Sequence, residues 1–219
     1  MALPDYLTPQ PDPLSNTSGD TVLVQIDLFV ASSFTVHQHL LCATSKVFKD
    51  ALERGQACRR MRDGHLHEEE AVFKVYVSWL YSREVSLPTI NGGTVHYARS
   101  WELLTKSYLL GDHILDMTFK NAIVDAISAL MQSDNPNAPS RSAPVPGYWA
   151  IQALYNGTRQ GSKGRQLFAD LCADPLSIEA FEANKRNYPP NFIADFAEAL
   201  MSRQAGEHGQ DFRYFYESN

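Results

Sequence analysis

Between residues 21 and 53 the spacing of apolar positions switches from a period of two to a period of three and four. Val22, Val24 and Ile26 lie on one side of an apolar run and Leu23 on the other, which predicts a strand over Thr21 to Phe29 buried on at least one face. Ala31 Ser32 Ser33 turns the chain into a second strand, where Phe34 and Val36 flank Thr35. From His37 the period becomes helical through Leu40 and Leu41, so this strand runs straight into a helix. Ser45 is placed to cap a second short helix whose Val47, Phe48, Ala51 and Leu52 share a face, with Gly55 as its stop.

Gln56 to Gly64 is polar and basic and predicts a connecting loop. Glu68 to Tyr81 begins acidic, as suits the positive end of a helix. Its Val72, Phe73, Val75, Tyr76, Val77, Trp79 and Leu80 reach nearly every face, which predicts the most buried helix of the domain. Glu84 to Leu87 reads as a short strand before Pro88, and Asn91 Gly92 Gly93 as a turn. Trp101 to Leu110 is helical, with Trp101, Leu104 and Tyr108 on one face. Gly111 is its expected end and Asp112 the expected cap of the next helix, where Leu115, Phe119, Ile123 and Ile127 recur every fourth residue.

Ser133 to Gly147, with Pro136, Pro139, Pro144 and Pro146, predicts a linker at a domain boundary. Tyr148 to Tyr155, Arg165 to Cys172 and Asn191 to Met201 then read as three helices, the last with Phe192, Ile193, Phe196 and Leu200 on its apolar face. Helices this short need to pack on one another or back on the first domain. The aromatic run Phe212 to Tyr216 either docks or serves as a contact segment. Residues 1–19 hold Pro4, Pro9, Pro11 and Pro13 among polar residues, the composition of a flexible arm.

Three motifs in order carry a family resemblance. The Phe-x-Val-His-x-x-Leu-Leu run (Phe34, Val36, His37, Leu40, Leu41) with Ser45 and Phe48 resembles the opening of a BTB/POZ domain. Phe73 after Val72, with Trp79 Leu80 Tyr81, is similar to its central helix, and Leu109 Leu110 Gly111 Asp112 to its final helix pair. The resemblance implies an α+β fold: a BTB/POZ domain over 20–132, a small β-sheet with a cluster of α-helices, then the 133–147 linker and a short all-helical C-terminal region over 148–219. That combination looks similar to fungal BTB-domain proteins. It also implies that His37 ties the strand to the helix, and that a third strand lies near Met61 to Leu66, very short or absent here because only Met61 and Leu66 suit it. Many relatives exchange an extra N-terminal strand between subunits. The prolines of the arm lack the backbone donors such a strand needs. Relatives that bind cullin scaffolds carry a phenylalanine, an apolar residue four later and a glutamate six later. This chain has Phe48, Leu52 and Arg54, with Glu53 one place early, and these four are the candidate partner contacts.

Composition narrows the function. The chain has 219 residues, room for one good core and a smaller unit, with ordinary hydrophobic and charged content. A formal charge of -6 argues against nucleic acid, whose binders need a basic face. The local run Arg59 Arg60 Met61 Arg62 is followed by Glu68 Glu69 Glu70 and reads as a solvated loop. Cys42, Cys58 and Cys172 form no Cys-x-x-Cys pair, which suits a reducing, intracellular setting in cytoplasm or nucleus. No stretch approaches the ~20 apolar residues of a membrane span.

The candidate chemistry is thin. His37 and His39, and His65 and His67, form two His-x-His pairs that could hold a metal; the competing reading is a buried, hydrogen-bonded His37 with the other three exposed. Gly157 to Gly164 has the intervals of a flexible turn, not of a phosphate loop. With no nucleophile elbow and no cofactor motif, the expectation is a non-enzymatic protein–protein interaction module, its partner itself or another protein. The alternative is a substrate adaptor of a cullin-type ubiquitin ligase.

Overall fold

The computed structural model describes residues 19–26, 32–54, 58–61, 70–86, 89–90, 94–95, 97–132, 145–173, 176–206 and 211–217, of which 58–61, 89–90 and 94–95 are described as backbone alone. β1 (Thr21–Ile26) and β2 (Ser32–His37) pair antiparallel, Val22 opposite Val36 and Val24 opposite Phe34. Val22, Val24, Ile26 and Val36 face the core while Leu23 and Thr35 face out, the alternation a one-sided sheet requires. α1 (Gln38–Thr44) follows without a break, and α2 (Lys46–Glu53) starts where the Ser45 hydroxyl accepts the Phe48 N–H at 3.2 Å.

β3 (Cys58–Met61) then runs parallel to β1 on its other edge, giving the order β2-β1-β3. This corrects the expected loop over Gln56 to Gly64 and puts the third strand earlier than Met61 to Leu66, of which 62–66 lie outside the described residues. A strand that answers the open edge of β1 does so through backbone groups, so its polar sequence gave no alternation to read.

α3 (Glu70–Ser82) buries Val72, Phe73, Tyr76, Trp79 and Leu80. It is not the most buried helix: Lys74, Ser78 and Ser82 form a solvent strip, and α4 (Tyr97–His113) and α5 (Met117–Gln132) bury more residues. No strand forms over 84–86. There the Ser82 hydroxyl accepts the Glu84 N–H at 3.1 Å in a turn, and the short ladder is β4 (Thr89–Ile90) against β5 (Thr94–Val95).

The α4–α5 connection differs from its expected form. Gly111 lies inside α4, which continues to His113, and the left-handed residue of the turn is Leu115 at φ 53. Gly111 is required by a close approach: a Cβ there would lie 2.7 Å from Cγ of Lys120. Asp116, not Asp112, caps α5, accepting the Phe119 N–H at 2.9 Å. Leu115 accordingly stands outside the stripe, 44% exposed, while Phe119, Ile123 and Ile127 are buried.

After 144, the described chain forms α6 (Tyr148–Gly157), α7 (Lys163–Cys172), α8 (Ile178–Asn184), α9 (Pro190–Gln204) and a 3-10 turn, Phe212–Phe215. α8 was not expected; it buries no residue and so has no periodic stripe. These helices pack both on one another and back on α4, where Trp101 meets Phe168 edge-on at 5.7 Å, and the core is one continuous cluster from β1 to α9. Arg165 sits in the α6–α7 corner. Its Nη2 donates to the carbonyls of Tyr155, at 2.6 Å, and of Thr158, and Nε donates to the Thr158 hydroxyl at 3.1 Å. A buried guanidinium thereby satisfies α6 carbonyls that the helix end would leave open.

Candidate interaction surface

The opening motif is mostly core. Val36, Leu40, Leu41 and Phe48 are buried, as are Phe73, Trp79 and Leu80, and half-buried Phe34 packs on Phe73 with ring centroids 5.0 Å apart. His37 is half-buried rather than buried. Its N–H donates to the Tyr81 hydroxyl at 3.1 Å, and that hydroxyl is also hydrogen-bonded to Nδ1 at 2.7 Å. The β2–α1 junction is thus tied to the end of α3. His39 is exposed; His65 and His67 lie outside the described residues. Among the described residues no three His, Cys, Asp or Glu side chains converge as a metal site would need.

Of the four candidate partner contacts, Phe48 is buried, stacked on Tyr76 at 6.3 Å, and Leu52 is half-buried. Glu53 and Arg54 are exposed at the end of α2. The structure therefore presents two charged residues and the rim of one apolar side chain there. The outer sheet face offers Leu23, 42% exposed, and Thr35.

A second constellation joins the Gly111–Asp112 motif to the chain's last described residues. Lys120, 2% exposed, has its ammonium 2.5 Å from Asp112 Oδ1 and 3.0 Å from Glu217 Oε1, and lies 4.7 Å from the centroid of the Tyr108 ring. The Tyr108 hydroxyl donates to the same Glu217 oxygen at 2.8 Å. Burial, then this carboxylate, pushes the Tyr108 phenol well above its ordinary range. Asn121 holds the backbone of Glu217 at both ends, accepting its N–H at 2.8 Å and donating to its carbonyl at 3.1 Å, and the Tyr216 hydroxyl donates to Asp125. The aromatic run that was open between docking and contact is docked here. Tyr214 is the exception, 57% exposed with the Lys163 ammonium 4.1 Å over its ring.

Lys120 was missed at the level of sequence although a signal exists. It stands three, four and seven residues before Ile123, Val124 and Ile127, a lysine on the buried face of an apolar helix. Asp116 carries no signal in the local pattern, yet it is fully buried and accepts the Tyr76 hydroxyl at 3.1 Å as well as the Phe119 N–H. Among the described residues no helix is long and apolar enough to cross a membrane. No protein-family model matches this chain, and no curated protein matches it significantly.

Proposed function

We propose that this chain is a non-enzymatic protein–protein interaction module built on a BTB/POZ fold over residues 20–132, associating with itself or with another protein. In this reading it works inside the cell, without cofactor, nucleic acid or membrane. The observation that carries it is the joining of the three family-like motifs in one core. The Ser45 hydroxyl of the opening motif donates to the Ile114 carbonyl just after the Gly111–Asp112 motif at 2.7 Å, and Tyr81 of the Trp-Leu-Tyr ending holds His37. The strand order β2-β1-β3, with a third strand close to where the family carries one, supports the same reading. So do the free thiols of Cys42 and Cys172, for an intracellular setting. The interaction face is the sheet: β2 has an open outer edge among the described residues, and Leu23 with Thr35 stands on its outer side.

Light scattering on the eluting full chain tests this. The expected result is a mass above the monomer at roughly 100 μM, a concentration at which even a weak module associates, and a return to monomer for Leu23→Glu with unchanged melting. A strictly monomeric chain that also captures no partner through this face overturns the reading. No observation favours the cullin-adaptor alternative, since Phe48 is committed to the core; a purified cullin scaffold serves as one arm of the capture.

A further inference from the structure

The contacts of Glu217 have the form in which a protein reads a bound peptide. One side-chain amide, Asn121, pairs with both the N–H and the carbonyl of a single residue, directly after Tyr216 whose backbone is extended at φ -68 and ψ 139, while the Glu217 side chain meets two donors. Those donors, the Lys120 ammonium and the Tyr108 hydroxyl, are buried, and each converges on one carboxylate oxygen. A buried ammonium that loses one of two paired carboxylates keeps less to offset its desolvation. Without Glu217, Lys120 retains Asp112 alone and the Tyr108 hydroxyl proton loses its acceptor, which leaves both donors open to a second carboxylate. The segment that fills it is slight. Residues 211–217 form one 3-10 turn with no fully buried residue, held also by the Tyr216–Asp125 hydrogen bond, the Lys163 ammonium over the exposed Tyr214 ring and the partial burial of Phe212, Phe215 and Tyr216.

We propose that the face formed by Tyr108, Asp112, Lys120, Asn121 and Asp125 is a recognition site for an extended peptide carrying a tyrosine followed by a glutamate, and that the chain's own Tyr216 and Glu217 are its displaceable internal occupant. A partner protein presenting such a segment binds by expelling residues 211–217. Specificity is divided among the parts: Asn121 reads backbone, Lys120 with Tyr108 requires a carboxylate, and Asp125 requires a hydroxyl donor beside it. The site lies on α4 and α5, separate from the sheet face, and does not depend on the family reading.

The test uses the full chain carrying Glu217→Lys, which sets an ammonium against Lys120 and expels the tail. The probe is a fluorescein-labelled, carboxyl-amidated peptide of residues 211–217, followed by anisotropy. The folded variant is expected to bind one peptide, at least about tenfold tighter than the wild-type chain does, because the internal occupant competes. A peptide with glutamine in place of the glutamate should bind at least about tenfold more weakly, having lost a charge-assisted contact. If Glu217→Lys does not fold, the paired substitution Tyr216→Ala and Glu217→Ala opens the site without adding charge. A folded, opened chain that binds no peptide, binds both peptides alike, or binds no better than wild type overturns the proposal.

Discussion

The hydroxyl of Ser45 donates a 2.7 Å hydrogen bond to the carbonyl of Ile114, 69 positions further along the chain, and the same oxygen accepts the Phe48 N–H at 3.2 Å. One small buried side chain therefore starts α2 and satisfies a carbonyl in the α4–α5 turn. The Val47 N–H reaches that carbonyl too, at 3.4 Å. Two elements distant in sequence are locked end to end through backbone groups that water does not reach.

Replacing Ser45 by alanine removes both roles at once. Loss of an N-cap and a weakened buried carbonyl together should cost about 2–4 kcal/mol in urea unfolding. A loss under about 0.5 kcal/mol, the range of ordinary surface changes, would show that the junction is not held this way.

Leu115 offers the opposite sign. It sits at φ 53 and 44% exposed, where an L-residue with a branched side chain is strained and gains little burial. Leu115→Asn should stabilise by about 1 kcal/mol, since asparagine tolerates the left-handed region, and raise the melting temperature by about 2–4 °C. A lower melting temperature would mean that the exposed leucine packs more than its surface shows.

Phe119 lies between Tyr76, edge-on at 4.9 Å, and Trp79 at 5.0 Å, with no exposed surface. Phe119→Ala should cost about 3–5 kcal/mol, while Phe119→Asp buries an unpaired charge and should abolish cooperative unfolding and the near-ultraviolet dichroism of the aromatic cluster. Retention of both signals in the aspartate variant would place this residue outside the core.

What the sequence disclosed about this fold was whatever repeats locally. The β1–β2 alternation, the apolar faces of α2 and α4 and the cap at Ser45 depend on residues within a few positions of each other and stand where their spacing put them, while Leu115 falls outside the α5 stripe and α3 leaves a solvent strip. What it hid depends on distant partners. Gly111 reads as a helix stop until Lys120 is seen against it, and Asp112 reads as a cap until the same lysine claims its carboxylate. β3 was hidden because backbone pairing leaves no mark on side-chain pattern, and α8 because its half-buried Phe181 by itself makes no periodic stripe. The face around Lys120 was half legible: its lysine breaks an apolar stripe, but the acid and amide that complete it lie far apart in sequence.

Alkali should unfold this chain through its buried tyrosines. Burial, then the nearby Asp116, raises Tyr76 well above the ordinary phenol value of 10.0. Burial with Asp195, whose carboxylate accepts the Tyr155 hydroxyl at 2.7 Å, does the same for Tyr155. Burial also pushes the Cys172 thiol up to about 12 from 9.0. In each case the folded state keeps a proton that the unfolded chain releases, so the unfolded chain binds fewer protons and stability falls as pH rises. The contribution is whole below the unfolded values, 9.0 for the thiol and 10.0 for the phenols, declines as pH climbs above them, and is lost by the folded values. Urea unfolding should therefore be level from pH 7 to about 8.5 and weaken steeply beyond pH 10. Tyrosinate absorbance from these buried groups should appear together with loss of helical dichroism, and Cys172 should resist thiol reagents until then. Full tyrosinate absorbance in a chain that is still helical would show that Tyr76 and Tyr155 reach solvent in the native state.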